Sequence, residues 1–227
     1  MARSASASSD LLDFAGYPSG FWTYGSWFLA VNITGGASTF RYQGHSGDNY
    51  LLGINDSNQL DLYQGGPSSQ LTTPTVNTTD GWRIIGMSKA TGTATPRFHI
   101  YIWSTNAWTH ANGNSAIGDA TASTTLRVFN DSSSEIVPSN LAAWGMVHGR
   151  VLTDSEFERL PSGRWDLIPA DVLIEFPSGR DFPVTGTTAR HRDNGKYRQT
   201  TTTVSGTTRS AATDPPGFKF SRLKQRR

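Results

Sequence analysis

A segment rich in Trp, His and Asn has the residue types of a sugar-binding site. Trp108, His110, Asn112 and Asn114 lie within one polar stretch, residues 104–123, which is predicted to form a loop. An exposed Trp ring can stack on the apolar face of a sugar, while His and Asn side chains hydrogen-bond its hydroxyl groups. A loop Trp can equally cap the core or contact a protein partner, so a structural role for these residues is the alternative.

The residues that could perform nucleophilic or zinc chemistry are scattered along the chain. The sequence lacks the Gly-x-Ser-x-Gly motif that holds a serine nucleophile on a sharp turn. The five histidines are His45, His99, His110, His148 and His191. Because they are far apart in sequence, ordinary strand or loop histidines are expected rather than a catalytic triad or a zinc site. No catalytic residue and no metal ligand is predicted.

One polar turn, residues 44–49 (GHSGDN), carries oxygen atoms that could contact calcium. A complete calcium shell needs about six to eight oxygen atoms, and this turn supplies only a few of them. A plain polar turn is therefore the expectation, and no cofactor is predicted.

The charge of the chain is unevenly distributed. The net charge is +2, yet residues 164–227 contain nine Arg and three Lys against five Asp and one Glu, a balance of +6 that leaves −4 for residues 1–163. Within this basic part, residues 185–213 are mostly Thr, Ser, Arg and Gly and cannot bury enough apolar surface to fold alone. Residues 185–227 are therefore predicted to form an extended basic arm.

The arm suits binding to a partner. Its candidate partner-binding residues are Arg190, Arg192, Lys196, Tyr197, Arg198, Arg222, Lys224, Arg226 and Arg227. Their charges are spread through Thr-rich sequence, which favours pairing with a neighbouring protein through added strands. Phosphate contacts to nucleic acid, with Tyr197 stacking on a base, and a solvated tail are the two alternatives.

The composition excludes several classes of protein. Cysteine is absent, so the sequence predicts neither disulfides nor a thiolate metal site, which fits folding in a cytosol. No apolar run approaches the roughly 18 residues of a membrane span, and residues 1–9 (MARSASASS) lack the apolar centre of a signal peptide. We expect residues 1–9 to be a flexible arm and the protein to have no membrane partner.

Strands joined by turns dominate the predicted secondary structure, because the chain has seven Trp, seven Tyr, eleven Phe and 23 Gly. The predicted strands cover residues 10–15, 21–33, 38–42, 50–55, 59–63, 81–88, 97–103, 124–130, 142–151 and 172–176. In residues 27–33 the odd-numbered positions are expected to face a core and the even-numbered positions to face outward. In residues 97–103 the even-numbered apolar positions share one face, and the odd-numbered positions, which include His99, share the other.

The stretch 141–160 (LAAWGMVHGRVLTDSEFERL) joins a buried strand to a short helix. Thr153 and Glu156 form a capping box at the start of the helix, and Leu152 and Phe157 form a hydrophobic staple across the cap. Since so short a helix is only marginally stable by itself, it must pack on the strands through Phe157 and Leu160. Residues 141–160 are thus predicted to close a β-rich domain.

This strand, followed by Leu-Thr-Asp-x-Glu and a later Leu, resembles the end of laminin-G-like domains of the concanavalin A-like lectin and glucanase superfamily, of the kind found in bacteriophage virion proteins. The resemblance implies an all-β, two-sheet antiparallel jelly roll over residues 10–163, with residues 164–184 as a linker that adds one strand. Glycosidases of that superfamily carry a Glu-x-Asp-x-x-Glu motif, and none of the four Glu here has that spacing. The resemblance therefore implies a protein that is not an enzyme.

Two functions follow as expectations. The first is a bacteriophage virion structural protein, assembled in the host cytoplasm, that decorates the capsid or forms a minor tail component. Extended termini would attach it to major capsid or tail proteins and to copies of itself. The second is a carbohydrate-binding adhesion module that recognises glycans on a host surface.

Overall fold

The computed structural model describes residues 3–5, 11–15, 24–34, 40–45, 51–55, 57–63, 68–72, 74–76, 78–119, 125–128, 139–162, 173–177, 192–193, 201–205 and 208–209. Their strands are β1 (Arg3–Ala5), β2 (Leu11–Ala15), β3 (Gly25–Ile33), β4 (Phe40–His45), β5 (Leu51–Ile54), β6 (Leu60–Tyr63), β7 (Ser68–Leu71), β8 (Trp82–Lys89), β9 (Arg97–Ile102), β10 (Ala107–Asn112), β11 (Thr125–Val128), β12 (Ser139–His148), β13 (Leu173–Pro177), β14 (Arg192–Asp193), β15 (Thr201–Ser205) and β16 (Thr208–Arg209). One short helix, α1 (Asp154–Phe157), and two 3-10 turns, Thr78–Asp80 and Leu160–Ser162, complete the described elements.

The strands form two antiparallel sheets. Sheet 1 has the order β10-β9-β8-β3-β12-β1-β16, with β13 also paired to β12 and β14 to β13, and sheet 2 has the order β15-β2-β11-β4-β5-β6-β7. The sheets meet near Gly113, where an added Cβ would crowd both Ser69 of β7 and Phe98 of β9. The predicted all-β, two-sheet architecture with one short helix is confirmed. The described helix is too short to cross a membrane.

Both faces of β3 are buried. Trp27, Leu29 and Val31 are buried as the alternation predicted. Phe28 and Ala30, expected to face outward, are buried as well. They join a core cluster on the outer face of sheet 1. The prediction failed here because the segment that follows β12 folds back over this face.

That covering segment, which we call the latch (residues 149–162), is fixed by the predicted cap. Thr153 Oγ1 accepts a hydrogen bond from the backbone N–H of Glu156, and the Glu156 carboxylate accepts one from the backbone N–H of Thr153 at 2.9 Å. Phe157 and Leu160 are buried in the outer cluster. A Cβ at position 86 would overlap the Phe157 ring, so Gly86 on β8 provides the space into which this ring packs.

Two segments expected to be loops contain edge strands. Residues 104–123 include β10, and residues 64–80, whose Gly, Pro, Thr and Ser content also predicts a surface loop, include β7. Each of these strands ends the order of its sheet. An edge strand has one side open to solvent, so it tolerates the polar residues that made both segments resemble loops.

Parts of both predicted arms lie in the sheets. β1, within residues 1–9, pairs with β12, while β15 and β16, within residues 185–227, pair with β2 and β1. Thr-rich sequence suits pleated strands, and backbone pairing to an open sheet edge needs little apolar burial. The predicted additional strand after position 164 is present as β13 and pairs with β12.

Candidate functional site

The outer face of sheet 1 carries a group of ring and charged side chains beside the latch. The β9–β10 register places three pairs side by side: Tyr101 with Trp108, His99 with His110, and Arg97 with Asn112. All six positions share the face on which the latch packs, because they alternate with the buried Phe98 and Ile100.

The two histidines of this row are in direct contact. Nδ1 of His99 lies 2.8 Å from Nδ1 of His110. Nε2 of His99 lies 3.1 Å from Oγ of Ser88 on β8. Nε2 of His110 is buried and lies 3.5 Å from a carboxylate oxygen of Glu158. Each imidazole therefore presents Nδ1 to its partner and turns Nε2 toward an oxygen atom.

Asp154, the first residue of α1, completes the group. Its Oδ1 atom lies 3.7 Å from Nδ1 of His99 and 3.7 Å from Nδ1 of His110. Both of its oxygens accept hydrogen bonds from Arg97, at 2.7 and 2.6 Å, in a bidentate pair that fixes the carboxylate plane. We call His99, His110 and Asp154 the His–Asp cluster.

The electrostatics of the cluster follow from burial and from these partners. Burial, and next the neighbouring His110, lower the pKa of His99 to about 3, although Asp154 acts in the opposite direction. The hydrogen bond from Arg97 lowers the pKa of Asp154 below its ordinary value, against the effect of burial. At neutral pH the cluster thus contains a neutral His99 and an ionised Asp154.

Packed rings hold the imidazoles in place. Phe157 stacks on His99 with a centroid distance of 3.6 Å and an interplanar angle of 11°. Trp108 stacks on His110 from the other side of the row, with a centroid distance of 5.1 Å and an angle of 12°. His99 is fully buried, so its orientation is set by the fold rather than by solvent.

Next to the cluster lies a group of half-buried tryptophans, which we call the Trp patch: Trp82, Trp103 and Trp108. All three pack against the outer core cluster. The Tyr101 ring lies between two of them, 5.0 Å from Trp103 and 5.1 Å from Trp108. The patch offers aromatic surface that is rigidly backed and partly open.

The four residues predicted for a glycan site divide into two groups. Trp108, His110 and Asn112 lie together on β10. Asn114 lies beyond the strand, where its side-chain oxygen accepts a hydrogen bond from the backbone N–H of Gln70 at 2.9 Å. Its own backbone N–H donates to Gln70 O, so Asn114 ties the end of β10 to β7.

Most of the other predicted positions fall outside the described residues. Of the partner-binding arm, Arg192 alone lies within them, in β14 opposite Glu175 of β13. Of the polar turn at residues 44–49, the described part is its first two residues, which end β4. The arm's partners and the expectation of a plain polar turn at residues 44–49 stay predictions.

The His–Asp cluster was not predicted from the sequence. The histidines are scattered along the chain, but His99 and His110 are cross-strand neighbours, and α1 brings Asp154 to them. The available signal was the hairpin: counting outward from a turn at residues 103–106 places residue 99 opposite residue 110. That count was not possible while 104–123 was taken for a loop.

Comparisons with known proteins agree on the architecture. No protein-family model matches the sequence, and no curated protein matches it either. A candidate carbohydrate binding protein from Bacteroides ovatus has a similar structure, with a TM-score of 0.60 and 12% identity over 93% of this chain. The chain spans 61% of that protein's length.

Two further solved structures are less similar. Domains LG4-5 of the mouse laminin alpha1 chain match at a TM-score of 0.44 and 9% identity, over 67% of this chain and 43% of that one. A heptameric SAP-like pentraxin from Limulus polyphemus matches at a TM-score of 0.40 and 11% identity, over 70% and 85%. The assignment of fold rests on the Bacteroides structure and on the strand pairing, and it confirms that the chain folds as a two-sheet antiparallel jelly-roll sandwich.

Proposed function

We propose that the chain is a non-enzymatic, carbohydrate-binding module and that its sugar ligand stacks on the Trp patch. The observation that carries the proposal is the group of three half-buried Trp rings on the outer face of sheet 1. The core behind these rings already fixes their orientation, so they lose little further conformational freedom when a ligand binds.

Polar groups border the patch where a sugar's hydroxyls would lie. Asn106 and Asn112 are exposed at the two ends of β10, and His110 lies between Trp108 and Asn112. Tyr101 donates its hydroxyl hydrogen to Asn106 Oδ1 at 2.7 Å, which holds that amide beside the rings. An apolar platform with amide groups at its rim is the arrangement that gives a saccharide both stacking and hydrogen bonds.

The nearby carboxylates support binding rather than hydrolysis. Asp154 is paired with Arg97, Glu156 is held by Arg150 and by the cap of α1, and Glu158 lies beside Nε2 of His110. A glycosidase needs two carboxyl groups facing a common space, one of them able to donate a proton. The structural similarity to a candidate carbohydrate binding protein is consistent with the same proposal.

The test is a glycan array probed with the full-length chain, followed by calorimetric titration of any glycan that binds. We expect Trp108→Ala and Trp103→Ala each to weaken binding at least about tenfold, since each removes part of the stacking surface. The control is Thr72→Ala, an exposed position after β7 in sheet 2. Absence of binding across a broad array, or unchanged affinity in both Trp variants, would reject the proposal.

A second candidate function is a structural component of a bacteriophage virion, attached to capsid or tail proteins and to copies of itself. The observation that favours it is the basic excess of +6 in residues 164–227, which suits an acidic protein surface. Sugar binding and virion attachment would use different parts of the chain, so one protein can do both.

A further inference from the structure

The three facing atoms of the His–Asp cluster form a triangle of the size of a metal site. Its sides are 2.8 Å between the two Nδ1 atoms and 3.7 Å from each Nδ1 to Oδ1 of Asp154. A point equidistant from all three lies about 2.0 Å from each. Zinc binds imidazole nitrogen at about 2.0–2.1 Å and carboxylate oxygen at about 2.0–2.2 Å. The triangle therefore accommodates a zinc-sized ion with little movement of the ligands.

The chemistry of the atoms selects the class of cation. Two imidazoles and one carboxylate suit zinc and related first-row divalent metals. Calcium and magnesium prefer sites made of oxygen atoms alone. Among the described residues, this is the group of three His, Asp or Glu side chains whose ligand atoms converge closely enough to hold a metal ion.

Each of the three side chains also has a partner behind it. Ser88 hydrogen-bonds Nε2 of His99, whereas Nε2 of His110 makes no hydrogen bond and lies 3.5 Å from a carboxylate oxygen of Glu158. Arg97 holds Asp154 through two hydrogen bonds. Metal-binding histidines typically use the second ring nitrogen in this way, because an oxygen partner there fixes the tautomer and the ring orientation.

We propose that His99, His110 and Asp154 bind one divalent transition-metal cation of the zinc class, with a fourth position open to water or to a ligand. The ion has a route of entry because the Asp154 side chain is 38% exposed. Bound there, it would join β9 and β10 to α1 and hold the latch on sheet 1. The metal site adjoins the proposed sugar site, because His110 would bind the ion while Trp108, which stacks on its ring, belongs to the Trp patch.

The test uses the full-length chain after dialysis against a chelator. Calorimetric titration with zinc is expected to show one ion bound per chain, and calcium is expected to give no heat of binding. Cobalt(II) provides an independent signal, because its visible absorption bands become intense in a tetrahedral site with nitrogen and oxygen ligands. Zinc should also raise the temperature of unfolding, since it binds the folded chain.

Variants separate this site from surface binding. His110→Ala and Asp154→Asn should abolish both the zinc heat and the cobalt bands, and Ser88→Ala should weaken zinc binding by about 10-fold to 100-fold. The matched control is His45→Ala, at the end of β4 in sheet 2, which should bind zinc as the unaltered chain does. Circular dichroism of every variant verifies the fold.

Two outcomes would overturn the proposal. One is an unaltered chain that neither binds zinc nor gives intense cobalt bands, a result that does not depend on whether any variant folds. The other is binding that survives in His110→Ala and Asp154→Asn, which would locate the ion elsewhere. In either case the cluster would be a metal-free network made of a His–His hydrogen bond and an Arg–Asp ion pair. Sugar binding on the array would be unaffected by that result.

Discussion

His99 and His110 are joined across the β9–β10 pair by a contact of 2.8 Å between their Nδ1 atoms. The helix α1 covers this contact with residues from both of its ends: Asp154 faces the two nitrogens, and Phe157 stacks on the His99 ring. A helix of four residues thus supplies one charged and one apolar contact to the same pair. The latch and the histidine pair therefore form one structural unit.

Replacing Phe157 should test that unit. Phe157 is fully buried, packs edge-on against Phe28 at 6.3 Å and fills the space above Gly86. We expect Phe157→Ala to lower the free energy of unfolding by about 3–5 kcal/mol, because it removes a buried ring and leaves a cavity that the sheet cannot close. Urea denaturation followed by tryptophan fluorescence measures the loss.

The control for this substitution is Val151→Ala in the same latch. Val151 is 44% exposed, so its loss should change stability by less than about 0.5 kcal/mol. Equal effects of the two substitutions would mean that the latch is not held by Phe157.

In β3 and the latch, short sequence patterns predicted local structure correctly but not which residues pack against each other. The capping box at Thr153 and Glu156 was predicted correctly because its signal lies within four residues. The even-numbered face of β3 was predicted wrongly because its cover comes from residues more than 100 positions away. Alternation in sequence identifies the two faces of a strand but not what lies on each of them.

The residues of the candidate site were predictable from the sequence only where they lie close together in the chain. Trp108, His110 and Asn112 lie together on β10, and their closeness in sequence was enough to group them, while their binding of a glycan stays a prediction. Their neighbours Trp103 and His99 were not predicted to join them, because their position follows only from the register of the β9–β10 hairpin. Asp154 joins through the packing of the latch, which no spacing in the sequence reveals.

The capping box should make stability depend on pH. Burial raises the pKa of Glu156, but hydrogen bonds from Arg150 and from Thr153 outweigh it and hold the pKa below the ordinary value of 4.5. A carboxyl group with a lowered pKa in the folded state contributes stability above its unfolded pKa and loses it as the pH falls through the folded value.

Glu156→Gln isolates this charge, because glutamine can keep the cap hydrogen bonds. We expect it to cost about 0.5–1 kcal/mol at pH 7, a small amount because Arg150 is partly exposed. The difference between the two proteins should shrink as the pH falls below about 4.5. Urea denaturation at a series of pH values measures it, and a difference that grows toward low pH would contradict the assignment.

A buried lysine gives a further prediction. The Lys89 side chain is fully buried, and its ammonium group donates to Ala90 O, Gly92 O and Asp119 Oδ1 at 2.9, 2.7 and 2.9 Å. Asp119→Asn should lower the free energy of unfolding by about 1–3 kcal/mol, since the charge would lose its anionic partner. Lys89→Met should cost less than Asp119→Asn, because it removes the buried charge itself. Thermal unfolding compares the stabilities of the two variants. A larger loss in Lys89→Met than in Asp119→Asn would show that the unpaired buried charge is not the main cost.

Truncation at the C-terminus should separate the strands contributed by the predicted basic arm, residues 185–227, from the part of that arm that follows them. Removing residues 214–227 leaves β15 and β16 in place, so it should lower the temperature of unfolding less than a deletion that removes these two strands. Removing residues 201–227 also deletes both strands and exposes the edges of β2 and β1, and it should destabilise the domain clearly. If residues 214–227 carry the attachment, the shorter deletion should yield a folded chain that is missing from particles purified from the cells that make them. Full incorporation of that chain would argue against attachment through this segment, because Arg222, Lys224, Arg226 and Arg227, four of the basic residues assigned to it, would then be dispensable.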